Sequence, residues 1–270
     1  MTSKFEKIKY LLYNMKWDLL CWGIIMDLKE NERIDDLEYK GLKIIQNENY
    51  FCFGMDSILL SDFAKDLKKD SNILDIGTGT GIISILLSKK TECKKIYALE
   101  IQKEISEMAG RSIKLNNLEN TIEIINDNIK NIEKYLDKNS INAIVTNPPY
   151  KKENCGVKNE NINKLISRHE ITANLEDFIS HGSNVLKDKG AFYMVNRPER
   201  LAEIINLFKK YKIEPKKLRL VYPKINNKPN LILIKGVKNA KSFLEIERPL
   251  IIYNADNTYT DEILKIYNKK

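Results

Sequence analysis

The segment Asp75-Ile76-Gly77-Thr78-Gly79-Thr80-Gly81 constrains the fold of this chain more than any other. It follows Asn72-Ile73-Leu74, which reads as a buried strand, and precedes residues 82–88, which read as a helix. A strand that runs into a glycine-rich turn and then a helix opens a nucleotide-binding α/β unit. Glycines let the chain turn sharply and let a ligand approach the backbone with no Cβ in between. The spacing is G-x-G-x-G rather than the G-x-G-x-x-G of dinucleotide sites, and an acid, Asp75, stands before it. A carboxylate there is a poor host for a pyrophosphate and a good one for a cationic or amine-bearing ligand. S-adenosylmethionine, with its sulfonium and α-amine, fits that turn better than a nicotinamide dinucleotide does.

From residue 71 onward the pattern alternates. Strands are expected near 72–76, 95–99, 121–125, 141–146 and 190–195, and helices near 81–90, 101–116, 128–136, 174–187 and 198–211. Such alternation predicts an α/β fold with a doubly wound, mostly parallel sheet. Two further apolar runs, 217–222 and 231–236, flank a polar turn at 224–230 and predict a terminal antiparallel hairpin. Residues 249–253 read as a strand and 261–267 as a helix. Ahead of the alternating region, 41–52 reads as a short hairpin and 57–65 as a helix, with Asp56 at the position of its N-cap.

Two more features lie at strand ends. Glu100 follows the second strand, where an acid accepts hydrogen bonds from both hydroxyls of a ribose, although an isolated acid there could equally be a solvated strand end. Asn147-Pro148-Pro149-Tyr150 follows the fourth strand. Two consecutive prolines cannot continue a strand ladder or enter a helix interior, so the backbone there is stiff and turned. Asn147 offers a carbonyl acceptor and Tyr150 a flat ring. That set suits a planar substrate held by the hydrogens of its NH2 group; an ordinary Pro-Pro turn is the plain alternative.

Taken together, these segments resemble the class I S-adenosylmethionine-dependent methyltransferases over roughly residues 50–200. The resemblance implies a seven-stranded Rossmann-like sheet with S-adenosylmethionine as cofactor. It also implies cofactor contacts from Asp75, Gly77, Thr78, Gly79 and Gly81 at the methionine end, and from Glu100 at the ribose. Asp127, after the third strand, matches the acid that often meets the adenine amine. Asp56 lies in the segment that closes over the cofactor, so capping and cofactor contact are both open to it. Asn147, Pro148, Pro149 and Tyr150 match the family's motif for methylation at a planar amide or amine nitrogen. In that reading the Asn147 oxygen and the Pro148 carbonyl accept the two amine hydrogens, and Tyr150 stacks on the base.

A wider pattern narrows the substrate. It includes Arg33-Ile34-Asp35-Asp36-Leu37, Phe51-Cys52-Phe53, Arg197-Pro198-Glu199-Arg200-Leu201 and Pro215-Lys216-Lys217-Leu218-Arg219. Over about residues 27–268 it is similar to bacterial enzymes that methylate adenine 37 of a valine tRNA on N6. Two other families share the Asn-Pro-Pro-Tyr motif. Glutamine-N5 methyltransferases of release factors carry a helical N-terminal domain for which this chain has little room. DNA adenine methyltransferases usually add a large target-recognition domain.

Charge agrees with an RNA partner. The 270 residues carry a net charge of +8, and residues 197–270 hold 17 Lys and Arg against 8 Asp and Glu. That excess of nine exceeds the whole chain's, so the rest is nearly neutral, and a basic face suits a phosphate backbone. The four cysteines contain no C-x-x-C pair and the two histidines are isolated, so neither a disulfide framework nor a metal site is expected. The apolar run at 17–26 is too short to span a bilayer, and a cytoplasmic protein is expected. The expected organisation is a poorly packed extension at 1–26, a hairpin and cofactor-covering helix at 27–70, and the methyltransferase domain at 71–270. A polar loop at 151–172 contains Arg168 and His169, which either contact the substrate or form a cluster of surface charges at a helix start.

Overall fold

The computed structural model describes residues 28–50, 52–150 and 173–269. The expected extension at 1–26 and the loop carrying Arg168 and His169 lie outside the described residues.

The chain builds one large sheet from β3 (Asn72–Ile76), β4 (Lys95–Leu99), β5 (Ile122–Ile125), β6 (Ile141–Thr146), β7 (Leu186–Asn196), β8 (Ile213–Tyr222) and β9 (Leu231–Lys238). Its order is β8-β9-β7-β6-β3-β4-β5. The first five in sequence are parallel, with Ile73 opposite both Ile96 and Ala143. β9 pairs antiparallel with β7 and with β8, which is the expected closing hairpin. Two-residue strands β10 (Glu245–Ile246) and β11 (Leu250–Ile251) extend the β8 edge. The middle strands are buried on both faces, so they read as near-continuous apolar runs.

Helices cover both faces. The first face packs α1 (Met55–Phe63), α2 (Ile82–Lys90), part of α3 (Lys103–Leu115) and α6 (Asp261–Ile266) around Leu59, Ile83, Leu87, Ile113 and Ile263. The second packs α4 (Leu175–Val185), α5 (Leu201–Lys210) and a 3-10 turn (Ile129–Lys134) around Phe178, Ile179, Phe192, Ile204 and Phe208. Each fully buried Ile or Leu contributes roughly 1.5–3 kcal/mol, so two apolar faces on one sheet are enough to fix its position between the helices. α4 opens on a capping box: Asn174 Oδ1 accepts the Asp177 N–H and Asp177 Oδ2 accepts the Asn174 N–H, both at 2.9 Å.

Three local expectations are corrected. The N-terminal hairpin is β1 (Glu32–Asp36) against β2 (Lys43–Asn47), so 41–52 supplies only its second strand. The polar sequence Glu-Arg-Ile-Asp-Asp conceals β1, and the reversal needs positive φ at Glu38, Lys40 and Gly41. The helix expected at 128–136 is the short 3-10 turn. α1 begins two residues earlier than expected, with Gly54 at the N-cap, so Asp56 lies inside the first turn and is not the cap.

Candidate functional site

β3 and β6 are neighbours in register, with Ile76 opposite Thr146. Gly77 and Asn147 therefore leave the sheet side by side, and the Thr146 hydroxyl donates to the Ile76 carbonyl at 2.9 Å beneath them. This is the carboxyl edge of the parallel strands, where open α/β sheets bind ligands.

The glycine turn needs its glycines for conformation. Gly77, Gly79 and Gly81 have φ of 71°, 58° and 90°, values that side chains disfavour. Asp75, at the end of β3, is completely buried, and its Oδ2 accepts the hydroxyls of Thr78 and Ser84 at 2.7 Å each. Its Oδ1 has no hydrogen-bond partner. Burial pushes the Asp75 carboxyl up to about 6, against the pull of those two hydroxyls, and nearby Glu100 adds to the rise. Thr78 thus turns its hydroxyl toward Asp75. Gly81 forms the N-cap of α2.

Glu100 is also buried. Its Oε2 accepts the Gly79 N–H at 3.0 Å and its Oε1 accepts the Gln102 N–H at 2.9 Å. Asp127 sits after β5; its carboxylate accepts from the Asn128 N–H, the Asn131 side chain and the Tyr135 hydroxyl. Those donors, the Asn131 side chain foremost, hold its carboxyl below the usual range.

Between Glu100 and Asp127 lies a cleft with about 320 Å³ of atom-free space, partly open to solvent. Its walls include Gly77, Leu99, Ile101, Ile129, Ala173 and Phe178. Apolar walls with two separated carboxylates suit a flat ligand bearing hydrogen-bond donors at both ends. The unpartnered Asp75 oxygen suits an amine or a cation nearby. This donor set fits S-adenosylmethionine: an aromatic ring, ribose hydroxyls, an exocyclic amine and a cationic methionine end.

A second cluster stands beside the first. Asn147 donates through Nδ2 to Ser57 Oγ at 3.2 Å, and its Oδ1 lies 2.6 Å from the Tyr150 hydroxyl. The same hydroxyl lies 2.6 Å from Asp56 Oδ2. Burial, reinforced by Asp56, pushes the Tyr150 hydroxyl far above its ordinary range, so it stays a donor. Pro148 is buried, and the Arg197 guanidinium stands 5.0 Å from the centre of the Tyr150 ring. Asp56 therefore joins Asn147 and Tyr150; it is not among the residues lining the cleft.

Several of these residues had no role in the site assigned from the sequence. Ser57 follows Asp56 directly and Arg197 follows β7 directly, so position at an element's end was the available clue. Phe178 reached the cleft through the packing of α4, which no local pattern announces. Among the described residues no cluster of His, Cys, Asp and Glu could hold a metal ion, and no helix is long and apolar enough to cross a membrane.

Known proteins share this fold and align with much of this sequence. Among solved structures, a predicted O-methyltransferase of Agrobacterium tumefaciens superposes with a TM-score of 0.64 at 20% identity, covering 79% of this chain and 96% of that one. TYW2 of M. jannaschii, solved in complex with AdoMet, gives 0.54 at 16% identity, over 79% and 89% of the two chains. At such identities the likeness is one of fold. A tRNA1(Val) (adenine(37)-N6)-methyltransferase of Haemophilus influenzae (strain ATCC 51907 / DSM 11121 / KW20 / Rd) is 28% identical over 230 residues, covering 84% of this chain and 94% of the relative. A protein of the same name from Porphyromonas gingivalis (strain ATCC 33277) is 25% identical over 239 residues, covering 86% and 93%. Residues 44–217 match the methyltransferase small domain family, and that stretch spans both the cleft and the Asn147 cluster. The chain belongs to the methyltransferase small domain family and is an S-adenosylmethionine-dependent methyltransferase.

Proposed function

We propose that this enzyme methylates the exocyclic N6 amine of adenine in tRNA, at adenine 37 of a valine tRNA. The observation that carries the chemistry is Asn147: its amide is oriented by Ser57 and Tyr150, and it leaves the sheet beside the glycine turn. The tRNA substrate is supported by the relatives' names and their span of this chain, and by the excess of Lys and Arg in residues 197–270. A tRNA substrate places the enzyme in the cytoplasm.

In this reading Glu100 receives the ribose hydroxyls, Asp127 the adenine amine of the cofactor, and the turn at Gly77, Gly79 and Gly81 admits the methionine end near Asp75. The bound cofactor supplies an electrophilic methyl group on a sulfonium. The amine of the target base is a weak nucleophile because its lone pair is delocalised into the ring. Asn147 Oδ1 and the Pro148 carbonyl each accept one amine hydrogen, which localises the lone pair and aims it for in-line transfer. Pro149 keeps that corner rigid. Tyr150 offers the flat ring on which the target base stacks, with the Arg197 guanidinium beside it. Such contacts contribute about 1–3 kcal/mol per base. A base in a single-stranded loop is cheap to extrude into this pocket. Arg168 and His169 are assigned to contacts with the RNA around the target.

The test is transfer of tritiated methyl from S-adenosylmethionine to total tRNA, purified release factor and duplex DNA in parallel. Label in tRNA, at N6-methyladenosine, is the expected result. Label confined to release factor assigns the enzyme to glutamine-N5 methylation instead.

A further inference from the structure

The Tyr150 hydroxyl has one hydrogen and two acceptors. Asn147 Oδ1 and Asp56 Oδ2 each lie 2.6 Å from its oxygen, so the hydrogen can serve only one of them at a time. When it points at Asn147, it takes one of that oxygen's two lone pairs and competes there with the substrate amine. When it points at Asp56, that oxygen is open.

The first turn of α1 is shaped to hold this arrangement. Asp56 and Ser57 are both buried. Asp56 Oδ1 accepts the Ser57 N–H at 2.9 Å, which fixes the carboxylate, and Ser57 Oγ accepts the Asn147 Nδ2–H, which fixes which way round the amide sits. A Cβ at Gly54, before them, would stand 2.9 Å from Asp56 Oδ1 and push that carboxylate from its place. Two adjacent residues on one helix thus grip both polar members of the corner, about ninety residues away in sequence.

We propose that Asp56 is a positioning residue that takes the Tyr150 hydroxyl hydrogen when substrate arrives, so that Asn147 Oδ1 is released to the substrate's NH2 group. Asp56 acts through Tyr150 and touches neither reactant. No covalent bond changes in this step; one hydrogen bond is exchanged for another. The inference rests on the reading that Asn147 accepts from an NH2 group, and it holds for an adenine amine or a glutamine amide alike.

The test is a double-mutant cycle with Asp56→Ala and Tyr150→Phe, measured on whichever substrate takes label from the wild-type enzyme. With Asp56→Ala, the hydroxyl has Asn147 as its remaining acceptor, and kcat falls about 100-fold while cofactor KM stays within about twofold. Removing the hydroxyl as well removes the competitor, so the double variant turns over faster than Asp56→Ala alone. Losses that simply add, or a large rise in cofactor KM with unchanged kcat, overturn the proposal. If the wild type labels no substrate, the functional reading fails separately. The exchange is then read from the 19F resonance of 3-fluorotyrosine placed at position 150: a shift in Asp56→Ala supports it, and an unmoved resonance overturns it.

Discussion

Glu100 Oε2 accepts the Gly79 N–H at 3.0 Å, so the acid at the end of β4 fastens the glycine turn that follows β3. Its other oxygen takes the Gln102 N–H, and Asn126 Nδ2 donates to the Glu100 carbonyl at 2.8 Å. Glu100 thereby ties three strand ends together, the turn after β3 through its side chain and Asn126 after β5 through its backbone carbonyl. Glu100→Ala leaves two backbone donors without their acceptor, and the expected loss of stability is about 1–3 kcal/mol. Calorimetry of the same variant should show cofactor affinity reduced at least tenfold. Unchanged cofactor affinity would remove Glu100 from the proposed ribose site.

Asp75 gives the protein a pH dependence with a definite sign. Its carboxyl titrates near 3.8 in an unperturbed chain and near about 6 when folded, because burial disfavours the charge. Between those values the folded protein holds a proton that the unfolded chain has lost. The Asp75 contribution to apoprotein stability therefore declines as pH rises from about 4 to 6 and is flat above. A cationic ligand favours the ionised form, so cofactor binding releases a proton in the acid range and tightens as pH approaches 6. Titration calorimetry at about pH 5.5 in buffers of different ionisation enthalpy should show that proton release, and it should vanish near pH 8.

Gly79 separates backbone strain from ligand access. Its φ is 58°, and a Cβ built there meets nothing within 4 Å in the protein alone. Gly79→Ala should cost the apoprotein about 1–2 kcal/mol from the left-handed backbone. The added methyl enters the space where the cofactor approaches the turn, so cofactor affinity should fall by far more than the thermal shift suggests. Equal small effects on both would show that the ligand does not come close to Gly79.

Asn147→Ala should remove transfer and spare the cofactor. Loss of one preorganised hydrogen-bonding group of this kind typically lowers kcat by about 10²–10³-fold. Cofactor binding, read by calorimetry, should stay within about twofold, since Asn147 is not among the residues lining the cleft. Turnover at the wild-type rate would refute its assigned role.

The N-terminal hairpin is fastened by a forked ion pair. Both guanidinium amines of Arg111 meet the Glu32 carboxylate, at 2.6 and 2.5 Å, with the Glu32 side chain only 4% exposed. The Arg111 hydrogen bond keeps the Glu32 carboxyl below its usual 4.5. Its contribution is complete above that pH and is lost as pH falls through the lower folded value. Arg111→Ala removes the cationic partner of a buried carboxylate and leaves it the Lys29 N–H, and should destabilise the protein by about 3 kcal/mol in urea at neutral pH, with a smaller difference in acid.

The sequence by itself determined the strand-helix alternation, the glycine turn after Asp75 and the rigid corner after β6, because periodicity, glycine and proline act on the backbone locally. It misplaced the first hairpin strand because Glu32–Asp36 is polar, and its pairing with β2 depends on a turn held by residues at positive φ. It placed Asp56 at a cap because spacing alone does not tell a first-turn acid from a capping one; the tertiary structure turned that acid toward Tyr150. Ser57, Arg197 and Phe178 joined the site only through packing between elements far apart in the chain. Side-chain partnership across a sheet is set by which strands become neighbours, and no local pattern of residues records that choice.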